Sequence, residues 1–160
     1  MNPVINRKLD ALREHLTEAA LSKDKPFLAD LRGTALKNTD FRRVVYTGKL
    51  VQFTVMSIPP DGEVGAETHK NVEQVFFCVK GSGTTTYDGK KKPFGEGDVL
   101  VVPPGTNHNI ENTGEGPLKF YTSYSPPNHL PDVVHRTKAD ADDDDDDEKF
   151  GQKVAAKEQD

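Results

Sequence analysis

With 160 residues, the chain is long enough for one domain with a real hydrophobic core and too short for two comfortable ones. No apolar run approaches bilayer-spanning length, and Arg7, Lys8, Asp10, Arg13 and Glu14 stand where a signal peptide would be apolar, so a cytoplasmic protein without membrane contact is expected. The net charge of −5 is uneven: residues 137–160 hold ten acidic and four basic residues, leaving 17 basic against 16 acidic before them, a near-neutral balance with no basic field for nucleic acid.

Apolar residues at Ile5, Leu9, Leu12, Leu16 and Ala20 keep to one face of a 3.6-residue period and predict an amphipathic helix over residues 2–21. Asn2 can cap it, Pro3 suits its first position, and Pro26 lies past its end. With a connector this makes an N-terminal section, residues 1–40. From Phe41 the chain becomes short β-rich runs: FRRVVY, KLVQFTVMSI, EQVFFCVKG, TTTYDG, DVLVVPPG and LKFYTSY. Gly, Pro and Asp punctuate them, and Asp88-Gly89 predicts a tight hairpin because a type I′ turn needs positive φ at both central residues. Lys90, Lys91 and Lys92, which follow, read as a solvated hairpin with edge protection. Many short strands without alternating helices indicate an all-β sandwich, jelly roll or barrel over residues 41–136. The one cysteine, Cys78, lies in VFFCV and reads as a buried, inert thiol. Residues 137–160, with six consecutive aspartates and Glu148, read as a self-repelling, solvated and disordered tail.

The segment GDVLVVPPGTNHNIEN sets Gly97, Pro103, Gly105, His108 and Asn112 in the spacing G-x5-P-x-G-x2-H-x3-N. The spacing resembles the second signature of the cupins, and the resemblance implies a jelly-roll, double-stranded β-helix barrel with a metal site in its mouth. In its common form, the first cupin signature supplies two histidines and a glutamate. Here GEVGAETHKNVEQVFFCVKG departs from it: seven residues before Gly81 stands Gln74 in place of the Glu, His69 matches the second histidine, and Glu67 replaces the first. The resemblance, closest to single-domain cupins with E-x-H in this position, makes Glu67, His69, Gln74 and His108 the metal-site residues.

The substitution is chemically coherent. Glu67 and His69 are two apart, so on a strand they leave on one face, and a carboxylate ligates Zn, Fe, Mn or Ni as well as an imidazole does. Exchanging His for Glu and Glu for Gln keeps one negative charge in the ligand set. Glu73 is the rival to Gln74, but neighbours on a strand face opposite ways; the spacing to Gly81 favours Gln74. His15, His129 and His135 are assigned surface or interface roles.

One divalent transition-metal ion with three or four protein ligands leaves positions for substrate. Two readings follow: a metal-dependent enzyme of isomerase or dioxygenase type acting on a small oxygen-rich metabolite, or a non-catalytic small-ligand-binding module. The catalytic residues stay unknown. The resemblance and the apolar surface of the N-terminal helix and early strands also imply a homodimer.

Overall fold

The computed structural model describes residues 25–156, so the helix expected over residues 2–21 and His15 lie outside the described residues. The described chain opens with a short helix, α1 (Leu31–Lys37), and continues through β1 (Arg42–Thr47), β2 (Gln52–Ile58), β3 (Glu73–Lys80), β4 (Ser82–Tyr87) and β5 (Lys90–Gly95). It then forms β6 (Val99–Val102), β7 (His108–Asn112), β8 (Leu118–Ser125) and β9 (Val134–His135), and finishes in α2 (Lys138–Asp142) and α3 (Asp145–Ala156). The strands make a six-stranded sheet in the order β6-β3-β8-β2-β1-β9 and a three-stranded sheet in the order β5-β4-β7. Their pairings are antiparallel, as a jelly roll requires.

Alternation along the strands creates the core between the sheets. From β3, Gln74, Phe76 and Cys78 are buried while Glu73 is exposed. Phe76, Met56 and Phe120 from the large sheet meet Phe94 and Ile110 from the small one in one apolar cluster, each side chain contributing about 1.5–3 kcal/mol by leaving water. On the outer face of the large sheet, Ala35 of α1 packs with Val55 and Val79. Asp30 caps α1 by accepting from Gly33 N at 2.9 Å, and Lys119 of β8 donates to the carbonyls of Leu36 and Asn38 at 2.9 and 2.7 Å, satisfying the other end.

Two corners carry the backbone conformations that their residues were expected to supply. Asp88 and Gly89 have φ of 50° and 70°, the tight turn joining β4 to β5. At Gly81, φ is 92° and a Cβ would lie 2.6 Å from the carbonyl oxygen of Pro117, so only glycine fits. The lysine-bearing strand β5 is a sheet edge, with Lys90, Lys91, Lys92 and Pro93 exposed.

The acidic segment corrects an expectation: residues 138–142 and 145–156 are helical where a solvated, disordered tail was expected. Thr137 and Asp140 form a capping box at the start of α2. Asp144 Oδ1 accepts from Asp147 N at 3.1 Å, and Asp145, Asp146, Asp147 and Glu148 occupy the first turn of α3, where the helix dipole favours negative charge. The like charges are thus gathered at a terminus that stabilises them. No helix among the described residues is long and apolar enough to cross a membrane.

Candidate metal centre

Glu67 and His69 lie on the connection between β2 and β3, outside the named strands. An isolated bridge does the work expected of a strand: Glu67 N donates to His108 O at 2.9 Å, and His108 N donates to Glu67 O at 3.0 Å. Gly105 N donates to His69 O at 2.8 Å, so the corner before β7 holds the next ligand position as well. His108 opens β7 and is 1% exposed, its ring turned inward as anticipated.

These backbone bonds bring Glu67, His69 and His108 together. One ligand-capable atom from each lies within 4.8 Å of the others, a group that could hold a metal ion. His69 Nε2 and Glu67 Oε2 are 3.3 Å apart, and neither has a hydrogen-bond partner although both atoms are buried. Such orphaned atoms are costly without a further partner, and a cation would satisfy both at once. His108 Nδ1 is 3.0 Å from Thr106 O and its Nε2 is 3.1 Å from Gln74 Oε1. A neutral imidazole has one N–H; given to Thr106, it leaves the Nε2 lone pair facing the same region as the Gln74 oxygen. Gln74 Nε2 donates to Thr122 Oγ1 at 3.2 Å, and Gln74 itself is 1% exposed. Gln74, not Glu73, therefore faces inward.

Electrostatics keep the donors in ligand form. Burial works against the Glu67 carboxylate, but His69 and the Arg42 guanidinium, 3.5 Å away, hold its pKa down to about 2. Burial lowers the pKa of His108, which favours the neutral imidazole that a metal needs. Cys78 is 4% exposed, and burial raises its pKa to about 11, consistent with an inert thiol.

Glu67 and His69 line a cavity of about 790 Å³ to which residues of α2 and α3 also contribute. Arg42, His129 and Asp147 line it too, and composition gave no hint of any of them. Of the surface or interface roles expected for His129 and His135, the surface one does not hold: they are 6% and 3% exposed. Each is paired with a carboxylate of the acidic segment, His129 Nδ1 with Asp147 Oδ2 at 2.7 Å and His135 Nε2 with Asp144 Oδ2 at 2.9 Å. The detectable signal was the three-residue spacing of Asp144 and Asp147, which suits one helix face.

Residues 54–124 match the family model described as the Cupin domain. A Bacillus subtilis protein, the uncharacterised YrkC, is 36% identical over 146 residues, spanning 86% of this chain and 78% of that one. The chain belongs to the cupin family. This cupin also superposes on a crystal structure of BH2720 from Bacillus halodurans with a TM-score of 0.72 and 33% identity, covering 74% of the present chain and 94% of the other. An oxalate-binding protein of Thermotoga maritima is 35% identical over 68 residues, which are 42% of this cupin and 56% of the relative.

Proposed function

We propose that this cupin holds one divalent transition-metal ion through Glu67, His69 and His108, with Gln74 completing the shell, and acts as an enzyme on small carboxylates or carbonyl compounds. The observation that carries the reading is the pair of buried, unpartnered atoms, Glu67 Oε2 and His69 Nε2, beside His108. Imidazole nitrogen with carboxylate and amide oxygen suits Zn, Fe, Mn or Ni. The ion, when bound, supplies polarisation of a chelated carbonyl or carboxylate. Arg42 adds a cation that favours an anionic ligand: its side chain is 6% exposed and its Nε has no hydrogen-bond partner. Isomerase and dioxygenase chemistry both fit such a ligand.

A second reading is a small-ligand-binding module without turnover, favoured by the similarity to the oxalate-binding relative. The test is metal analysis of the purified chain, then calorimetric titration with oxalate and pyruvate, then dioxygen uptake and aldose–ketose interconversion. Stoichiometric metal, lost in His69→Ala, with turnover supports the enzyme; binding with no turnover supports the module. A chain that takes up no divalent metal rejects both. A homodimer is part of the proposal, and sedimentation showing a monomer alone removes it.

A further inference from the structure

We propose that the acidic helical segment, residues 138–156, is a gate over the candidate metal centre that undocks from the barrel as a unit to admit the ion; this rests on the metal-site reading above. The two atoms that carry that reading, Glu67 Oε2 and His69 Nε2, are sealed from solvent, and His108 is 1% exposed. An ion therefore reaches them from water only if part of the surrounding wall moves. Glu67 and His69 meet the cavity through their other atoms, beside Lys138, Ala141, Asp142 and Glu148 of the segment.

The barrel is the part that stays. Glu67 and His108 are tied by reciprocal backbone bonds, and β3 and β8 bury Phe76, Phe120 and Tyr124. Across residues 138–156, by contrast, Asp147 is the one buried side chain among the described residues. Ala141 packs against the apolar cluster from its edge, and Phe150 and Val154 are half-buried. An element with so little apolar burial opens at a small fraction of the free energy that unfolds the core.

Polar contacts fasten the segment to one short stretch, residues 128–135. Asp147 Oδ2 is 2.7 Å from His129 Nδ1, its Oδ1 accepts from Leu130 N at 2.7 Å, and Asp144 Oδ2 is 2.9 Å from His135 Nε2. α3 also passes so close that a Cβ on Gly151 would lie 3.0 Å from the Asn128 carbonyl oxygen. From this stretch ring contacts run to the centre: His129 meets Tyr124 edge-on with centroids 4.9 Å apart, and Tyr124 meets His69 in the same way at 5.9 Å. At its start the segment leaves the sheet abruptly. Phe41 N donates to Arg136 O at 3.1 Å, and the next residue, Thr137, is exposed and extended, with φ −127° and ψ 164°. Rotation at this junction carries both helices off His129 and His135 together.

The experiment uses the full-length chain. Hydrogen exchange read by mass spectrometry should show residues 138–156 of the wild type opening at least about 100-fold more readily than β3 and β8. Stopped-flow uptake of Zn2+ should rise with metal concentration to a plateau, the rate at which the gate opens. In Asp144→Ala/Asp147→Ala, exchange over 138–156 and the plateau rate should both increase about tenfold or more, with metal content unchanged. Loss of two negative charges alone slows the approach of a cation, so faster uptake carries the opposite sign. A merely structural segment predicts weaker binding and no faster uptake. Protection over 138–156 equal to that of β3 and β8, uptake linear in metal for the wild type, or a plateau unmoved in the variant overturns the proposal, and the metal-site reading survives. The two wild-type measurements decide the matter should the variant not fold. A chain that takes up no divalent ion removes that reading, and the gate with it.

Discussion

The barrel and helical sides of the candidate site hold their polar side chains by different means. On the barrel wall, Glu67, His69 and His108 are positioned by backbone hydrogen bonds, the reciprocal pair between Glu67 and His108 and the bond from Gly105 to His69, and their side-chain atoms are left partly unpartnered. On the helical wall, position comes from side-chain pairs, His129 with Asp147 and His135 with Asp144, which use up the carboxylates that make them. Backbone bonds are indifferent to pH, whereas imidazole–carboxylate pairs depend on protonation. The helical side therefore depends on the protonation of His129 and His135.

The largest effect should come from the core beneath both walls. Phe120→Ala is expected to cost about 3–5 kcal/mol in urea unfolding and to weaken both walls together, since Phe120 is fully buried between the sheets. His69→Ala separates them: bound metal should fall by about 100-fold in affinity or more, beyond what loss of an outer-shell partner produces, with unfolding little changed. Asp147→Ala does the reverse. It strands Leu130 N and His129 Nδ1, so stability should drop by about 1–3 kcal/mol and amide exchange over residues 138–156 should quicken, with metal content intact. Metal loss in Asp147→Ala equal to that in His69→Ala would erase the distinction.

Acidification tests both walls. The native His129 titrates below its ordinary 6.5, so as pH falls through that value the unfolded chain binds a proton that the native chain does not. Stability is therefore lost on going from pH 7.5 to 5.5, and the share carried by His129 should show as faster exchange in α2 and α3. Glu67 has the same sign in a lower window, its stabilisation complete above 4.5 and lost only as pH approaches about 2. His108, whose pKa burial also lowers, makes the barrel wall lose stability below 6.5 as His129 does on the helical wall. The smallest effect concerns Cys78, whose raised pKa predicts alkylation at pH 8 at least about tenfold slower than in the unfolded chain.

The barrel wall was legible in the sequence because its determinants are local. Asp88-Gly89 can make few turns but the one it makes, Gly81 must be glycine beside Pro117, and the spacing from Gly97 to Asn112 encodes the corner that delivers His108. Even there, the continuous strand expected through Glu67 and His69 proved to be a single bridge, since pairing across the mouth needs only one residue to set direction. The helical wall was illegible because its meaning is tertiary. Six aspartates in a row signal repulsion until Asp147 finds His129, 18 residues earlier, and Asp144 finds His135, nine residues earlier. Arg42 was hidden for the same reason: nothing in FRRVVY says which arginine turns inward, and β1 buries the first while exposing the second.

Gln52 will mislead anyone who ranks residues by phenotype. Its amide grips the backbone at Asn128 and His129 through three hydrogen bonds, while Thr47 Oγ1 accepts a fourth from it. In a saturation screen it should score like an active-site position, because every replacement slackens the loop that carries His129. Yet no atom of its side chain needs to meet a ligand, and a variant there would be rescued by no change of substrate.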